Sequence, residues 1–204
     1  MDLKYIEKTF QHKTPFPMDP HSYYAVMVPI IKEKENLSLL FEIRSHELQV
    51  QPGEVCFPGG RKEEGESTEE CAIRETCEEL CIKPSQLKVI GPLDYMIAYS
   101  GFTLYPYLGV IDMEAIKSRS FNHHEVHDTF LVPFDFFLNT EPLNYSYTAE
   151  PVIPKEFPYH LIGEKENYNW RIATSEIPIY TYDNHVIWGL TARIVKHLIE
   201  TLKK

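Results

Sequence analysis

One stretch of the chain, from Gly59 to Ile82, joins a glycine-rich lead-in to an acidic run with helical spacing. Ser67 can cap the first turn of a helix, and Glu70 stands three residues later, which is the spacing of a capping box. Neither proline nor glycine interrupts the sequence between Ser67 and Pro84. The stretch therefore predicts a loop that leads directly into a helix.

This helix would gather acidic side chains on one face. Glu75, Glu78 and Glu79 are three and four residues apart, so their carboxylates are neighbours on a helical surface, and Glu66 precedes them in the loop. The positions that remain to pack inward are Ala72, Ile73, Cys77 and Leu80.

Carboxylates at this spacing repel one another, by about 0.2–0.5 kcal/mol per pair on an exposed helix. A hard divalent cation would offset the repulsion, because Mg²⁺ takes oxygen ligands and is typically held by one or two carboxylates together with substrate phosphates. On charge alone, the alternative is a solvated acidic face.

The spacing of the charged residues resembles the signature of the Nudix hydrolases. From Gly60 the chain has five residues, Glu66, seven residues, and then Arg-Glu-Thr-Cys-Glu-Glu-Leu-Cys-Ile over 74–82. The family pattern is Gly-x5-Glu-x7-Arg-Glu-U-x-Glu-Glu-x-Gly-U, where U is a bulky aliphatic residue, and every charged position matches. Thr76 departs from it at an aliphatic position, and Cys81 departs at the glycine.

The resemblance implies a site, residue by residue. It implies a Mg²⁺ or Mn²⁺ centre whose ligands are the side chains of Glu75, Glu78 and Glu79 and the carbonyl of Gly59. It also implies that Arg74 orients Glu75, that Glu66 supports the loop, and that Glu78 belongs with them to the catalytic group. Cys81 then has to adopt the left-handed conformation that glycine tolerates, or the helix ends differently, before Lys83-Pro84.

The segment before the signature resembles one branch of this family in particular. Arg44-Ser45, a leucine three residues further on, and Gly-Glu-Val-Cys-Phe-Pro-Gly-Gly over 53–60 look like the element of the coenzyme A diphosphatase branch, although Gln51 stands where members often have histidine. A guanidinium can bind phosphate in a bidentate manner, which makes Arg44 and Arg61 candidates for substrate binding. The alternative for both is a surface arginine, which for Arg44 would pair with a neighbouring glutamate.

A histidine-rich run, Asn-His-His-Glu-Val-His-Asp over 122–128, lies beyond the helix. It lacks the His-Glu-x-x-His order of a zinc hydrolase, and residues 126–133 read as a strand. As the family resemblance implies, a loop carboxylate beyond the signature helix completes the metal site or activates water. We expect Glu125 to be that residue; the alternatives are an exposed loop glutamate at this position, and a carboxylate on the helix as the base.

The order of elements predicts an α+β domain. Tyr23 to Ile31 and Leu37 to Ile43 read as a hairpin, strands follow over 87–91 and 95–111, and Ile187 to Leu202 supplies a late helix with leucine or isoleucine at 190, 194, 198 and 202. The resemblance sharpens this to the Nudix α/β/α sandwich with a mixed sheet, as a single domain over 1–204. Asn144 to Tyr182 is rich in tyrosine and proline and looks irregular between short strands. Its aromatic residues are expected mainly to fill the core, and the alternatives are stacking on an adenine or a dimer face, for Tyr145, Tyr147, Tyr159, Tyr168 and Trp170.

Charge and composition limit the partners. A net charge of −10 argues against nucleic acid or an anionic membrane, since both demand basic surfaces. Four cysteines without a disulfide framework, and an N-terminus without a signal pattern, predict a cytoplasmic protein, and a homodimer is left open.

Together with these observations, the resemblance implies a metal-dependent diphosphatase that cleaves coenzyme A, with acyl-coenzyme A as a further substrate class. Two alternatives stay open at this point. One is hydrolysis of another nucleoside diphosphate derivative, such as ADP-ribose or a dinucleotide, and the other is a ligand-sensing module without turnover.

Overall fold

The computed structural model describes residues 2–117, 121–163 and 168–204. Its strands are β1 (Ser22–Glu33), β2 (Asn36–Arg44), β3 (Val55–Cys56), β4 (Gly59–Arg61), β5 (Leu87–Pro92), β6 (Met96–Ala98), β7 (Phe102–Asp112), β8 (Val126–Pro133), β9 (Leu143–Ala149), β10 (Ala173–Tyr182) and β11 (His185–Trp188). Its α-helices are α1 (Leu3–Phe10), α2 (Thr68–Glu79), α3 (Met113–Ile116), α4 (Phe134–Asn139) and α5 (Gly189–Leu202).

Eight of the strands form one sheet. The order is β3-β2-β1-β7-β5, while β4 pairs with β1, β6 with β7 and β8 with β2. Strands β1 and β7 run parallel, and the remaining pairs are antiparallel, including the predicted β1–β2 hairpin. The sheet is therefore mixed, as predicted.

The two faces of this sheet carry different helices. Along β1, Met27 points into a core that it shares with Cys71 and Ala72 of α2, whereas the next residue, Val28, points into a core that includes Val195 of α5. This alternation follows from the two-residue period of a strand. The α+β class and the Nudix α/β/α sandwich are thus confirmed.

The short strands expected in residues 144–182 belong to a second sheet. Strands β9 and β10 pair there and β11 follows β10 in a hairpin, which gives a three-stranded antiparallel sheet. The pairing of β9 with β10 joins segments that are far apart in sequence, whereas Asp183 and Asn184 alone separate β10 from β11. Tyr145 and Tyr147 are 61% and 50% exposed, so the expectation that they fill the core is wrong.

The late helix also begins later than predicted. Ile187 belongs to β11, and α5 begins at Gly189. Ile194 and Leu198 are buried as expected, but Leu190 and Leu202 are 37% and 57% exposed. A strict four-residue repeat drifts around a helix of 3.6 residues per turn by about 40° per step, which carries the ends of the stripe off the buried face.

No helix within the described ranges is both long enough and apolar enough to span a bilayer.

Candidate active site

The N-terminus of α2 is fixed by the predicted capping box. The hydroxyl of Ser67 accepts a hydrogen bond from the Glu70 backbone N–H at 3.1 Å, and the Glu70 carboxylate accepts one from the Ser67 N–H at 2.7 Å. Two of the N–H groups that a helix start leaves unpaired are thereby satisfied. The loop and the helix that the sequence predicts are both confirmed.

Arg74 connects the loop to the acidic face of α2. Its guanidinium donates to both carboxylate oxygens of Glu66, at 3.1 and 2.9 Å, and to Glu75 at 2.9 Å and Glu78 at 3.2 Å. A planar group with several donors suits this arrangement, and a lysine could not reproduce it. The backbone carbonyl of Arg61 accepts a further bond from Arg74 at 3.4 Å.

Glu66 is held in its ionised form by these contacts. Hydrogen bonds from Arg74, and then one from the backbone N–H of Glu63, lower the pKa of Glu66 from 4.5 to about 2. The loop before α2 is therefore fastened to the helix by a charge-assisted pair at neutral pH.

The two glycines of β4 lie against two of the signature carboxylates. A Cβ atom on Gly60 would stand 2.3 Å from the carboxylate carbon of Glu75, so only glycine leaves room for that side chain. The N–H of Gly59 donates to Glu79 Oε2 at 2.8 Å. Burial raises the pKa of Glu75, against the lowering effect of Arg74.

The departures at Thr76 and Cys81 are both accommodated. Thr76 is fully buried, and its hydroxyl donates to the carbonyl of Ala72 at 2.6 Å, so the polar atom of this side chain is paired. Cys81 has φ 50°, which means that it adopts the left-handed conformation in which glycine is usual. Of the two alternatives for the helix end, the structure has the strained one.

Backbone hydrogen bonds tie three distant segments together at the end of α2. The N–H of Asn122 donates to the carbonyl of Glu79 at 2.8 Å, and the N–H of Ser45 donates to the carbonyl of Glu125 at 2.7 Å. The side chain of Asn122 also donates to the Glu125 carboxylate at 3.1 Å. The loop of Glu125 is thus positioned between the acidic helix and the start of the Arg44 segment.

These segments surround one pocket with a volume of about 670 Å³. Its lining includes six of the residues singled out in the sequence, namely Arg44, Gly59, Arg61, Glu75, Glu79 and Glu125. Glu66, Arg74 and Glu78 are not part of the lining that the described residues form. Arg74 contacts the lining residue Glu75, and Glu66 contacts Arg74. Glu78 has a side chain that is 56% exposed and also contacts Arg74.

Comparison with known proteins decides the family. The model of the NUDIX domain matches residues 21–148, which is more than half of the chain. This chain belongs to the Nudix family.

Two similar proteins illustrate how far the family likeness extends. The uncharacterized Nudix hydrolase NudL of Yersinia pestis is 31% identical over 203 residues, which cover 94% of this chain and 90% of the relative. The peroxisomal coenzyme A diphosphatase NUDT7 of the mouse is 33% identical over 119 residues, covering 58% of this chain and 50% of the mouse protein. The chain thus spans half the length of that relative.

A solved structure supports the fold. A MutT/nudix family protein from Enterococcus faecalis matches with a TM-score of 0.50 and 17% identity, covering 100% of this chain and 71% of that one. At this identity the likeness concerns the arrangement of helices and strands only.

The sequence pattern did not predict one buried carboxylate on a strand that leads to this site. Glu42 lies on β2, its side chain is 1% exposed, and its Oε1 accepts a weak hydrogen bond from the Cys56 thiol at 3.4 Å. Burial raises the pKa of Glu42, and burial followed by the charge of Glu42 raises the pKa of Glu79. A charged residue between Phe41 and Ile43, inside an apolar strand, is the signal that could have identified it.

The charges of the site fit a divalent cation. Glu42 and Glu79 are buried carboxylates, and Glu42 Oε2 has no hydrogen-bond partner among the described residues. All the donors are oxygens, which hard cations prefer. In the part of the chain that the structure describes, no three His, Cys, Asp or Glu side chains are already gathered as a metal cage. The site therefore suits a cation held by one or two carboxylates together with water and substrate phosphates.

The histidine-rich run over 122–128 does not have the helical structure that a zinc site there would need. His127 lies on β8 and packs against His46, with ring centroids 4.6 Å apart, and His123 precedes the strand. The helical face that a zinc site would need is therefore not formed in this segment.

Proposed function

We propose that the chain is a diphosphatase that depends on Mg²⁺ or Mn²⁺ and hydrolyses coenzyme A to adenosine 3′,5′-bisphosphate and 4′-phosphopantetheine. The observation that carries this proposal is the pocket in which Arg44 and Arg61 share a lining with the carboxylates of Glu75, Glu79 and Glu125. Guanidinium groups bind phosphate, and carboxylates bind the cation that a diphosphate substrate brings or requires. Coenzyme A carries a diphosphate and a separate 3′-phosphate, so it would use both kinds of group.

The choice of coenzyme A among phosphate anhydrides has two supports. The segment from Arg44 to Gly60 resembles the element of the coenzyme A diphosphatase branch. A relative named as a coenzyme A diphosphatase is 33% identical over 58% of this chain. Acyl-coenzyme A belongs to the same proposal, since the acyl group is attached far from the anhydride.

The residues that would hold the cation are Glu75, Glu79 and the carbonyl of Gly59. Glu78 would join them after turning away from Arg74, which it contacts at 3.2 Å. When bound, the cation screens the substrate charge, polarises the phosphoryl oxygens and lowers the pKa of a bound water.

Each remaining residue has a proposed task in the reaction. Arg44 and Arg61 bind phosphate groups, Arg74 keeps Glu75 in place, and Glu66 fixes Arg74. Glu125 accepts a proton from the water that attacks phosphorus, and the bond from that phosphorus to the bridging oxygen breaks. The second phosphate leaves with the bridging oxygen and takes up a proton.

A substrate panel tests this proposal. The chain is incubated with coenzyme A, dephospho-coenzyme A, ADP-ribose and a diadenosine polyphosphate, with Mg²⁺, with Mn²⁺ and with EDTA, and the products are identified by mass spectrometry. We expect cation-dependent cleavage, fastest for coenzyme A, and ¹⁸O-labelled water would identify the phosphorus that is attacked. Faster cleavage of ADP-ribose or the dinucleotide would overturn the substrate, and tight binding without cleavage of any compound would indicate a sensing module.

Three further expectations stay predictions. They are the single domain over 1–204, a homodimer, and a cytoplasmic location with neither nucleic acid nor membrane as a partner.

A further inference from the structure

Glu42 occupies a place where an apolar side chain would be expected. Along β2, Leu40 and Glu42 point to the same face of the sheet because strand side chains alternate, and Leu40 packs into the core beneath α2 with Cys71 and Ala72. Glu42 therefore continues an apolar row toward the pocket. It is 1% exposed, so water cannot solvate its carboxylate.

The hydrogen bonds of Glu42 do not compensate for this burial. Oε1 accepts only a thiol hydrogen from Cys56 at 3.4 Å, which is a weak interaction, and Oε2 has no partner within the described ranges. An unsatisfied buried polar atom destabilises a protein, and a charged one destabilises it more. Protonation does not remove this deficit, because a proton on Oε2 would find no acceptor among the residues that the structure describes.

The neighbours of Glu42 make its position less favourable still. The charged groups that act on it are Arg44, which is attractive, and the carboxylates of Glu125 and Glu75, which are repulsive. Its charge also acts on Glu79, whose own carboxylate is 4% exposed and is bonded to the Gly59 N–H. Glu79 thus lines the pocket, and Glu42 lies two residues before the pocket residue Arg44 on β2, with one buried oxygen that has no partner among the described residues.

We propose that Glu42 is a further carboxylate of the divalent-cation site, where it acts together with Glu79 and its Oε2 interacts with the cation. A buried charge is stable when it is paired or coordinates a metal, and replacing an uncompensated buried charge by an apolar side chain of similar volume is often neutral or stabilising. The inference rests on the proposed cation dependence. It adds a residue of β2 to a set of proposed ligands that otherwise come from α2 and β4.

Direct measurement of Mn²⁺ binding to the full chain tests this inference without relying on turnover. Isothermal titration calorimetry and the electron paramagnetic resonance signal of free Mn²⁺ are compared for the wild type, Glu42→Gln, Glu42→Met and the control Glu69→Gln. Glu69 lies on α2 but is exposed, and it does not line the pocket as described. We expect both Glu42 variants to bind Mn²⁺ at least tenfold more weakly, and the control to bind within twofold of the wild type.

The stability of the metal-free chain provides the second readout. Without metal, Glu42→Met should have a Tm at least as high as that of the wild type, because it removes an unpartnered buried carboxylate. The increase in Tm on addition of Mn²⁺ should be smaller than in the wild type, since ligand stabilisation follows affinity. Glu42→Gln keeps the shape of the side chain, and the increase in its Tm on addition of Mn²⁺ is measured instead if the methionine variant does not fold.

Mn²⁺ binding within twofold of the wild type in either folded variant would overturn the inference and leave Glu42 as a residue of the core. Failure of the wild type itself to bind Mn²⁺ would overturn the proposed cation dependence, and this inference with it. The two failures are distinguishable because the first requires a wild type that binds the cation.

Discussion

The backbone N–H of Gly59 donates a hydrogen bond to Glu79 Oε2 across 2.8 Å, which joins the strand before the signature loop to the last residue of α2. A Cβ atom on Gly59 would stand 2.3 Å from the carbonyl oxygen of Ala25, so the strand can approach this closely only with glycine. The contact places a buried carboxylate beside the backbone of Gly59, and both residues belong to the set of metal ligands that the Nudix resemblance implies.

Glu79→Gln should abolish turnover and leave the fold intact. The substitution removes a proposed ligand and one negative charge from a crowded face, while the amide oxygen can still accept the Gly59 hydrogen bond. The measurements are kcat at saturating Mg²⁺ and Tm without metal, which should be equal to or above that of the wild type. Turnover within tenfold of the wild type at an unchanged Tm would contradict the role of Glu79 as a metal ligand.

Glu125→Gln should lower kcat by about 10²-fold or more, which is the usual size of a general-base contribution. The matched control is Glu125→Asp, which keeps the charge and should retain more activity than the amide. A normal kcat with a higher Mg²⁺ requirement would make Glu125 a ligand instead of the base. If neither kcat nor the Mg²⁺ requirement changes, a carboxylate other than Glu125 acts as the general base.

Arg44→Ala should remove much of the preference for coenzyme A over dephospho-coenzyme A. A charge-assisted hydrogen bond contributes about 1.5–3 kcal/mol, so the wild-type preference in kcat/KM should be of the order of ten- to a hundredfold. Both ligands are measured on the wild type, on Arg44→Ala and on Arg61→Ala, which separates the two guanidinium groups in the pocket. Equal kcat/KM values for the two ligands on the wild type would remove this role from Arg44.

Cys81→Gly should increase the free energy of unfolding by about 0.5–1 kcal/mol. Cys81 has φ 50°, where a side chain is strained by about 1–2 kcal/mol, and the greater freedom of glycine in the unfolded chain cancels part of the gain. Urea unfolding measures the difference, with Cys81→Ala as the control that keeps a Cβ atom and should gain nothing. A less stable glycine variant would mean that the weak bond from the Cys81 thiol to the Glu78 carbonyl, at 3.7 Å, matters more than the strain.

The Glu66–Arg74 pair should give stability that depends on pH. The pKa of Glu66 falls from 4.5 to about 2 on folding, so the contribution is complete above the unfolded value and is lost as the pH decreases from about 4.5 to 2. Because solvent partly screens this pair, we expect Glu66→Gln to lower the free energy of unfolding by about 1 kcal/mol at pH 7. The difference from the wild type in urea unfolding should disappear near pH 2, and a difference independent of pH would indicate lost packing instead.

The sequence determined the local part of the site. The capping box at Ser67, the helix that follows it and the spacing of Glu75 and Glu79 depend on neighbours within one or two turns, so the printed residues suffice to predict them. The same holds for the β1–β2 hairpin, whose turn joins adjacent strands. The family pattern added the mixed sheet, which local periodicity cannot provide.

Only the tertiary structure decided which distant residues meet. The sequence does not reveal that β9 finds β10, because strand pairing is non-local and each strand alone carries an ambiguous pattern. It also does not reveal that Glu42 is buried and that its charge acts on Glu79, since these residues lie on β2 and α2, which only the fold brings near each other. The sequence shows that Glu42 carries a charge. The free-energy cost of that charge, which is the basis of the proposed role of Glu42, arises only when the fold excludes water from it.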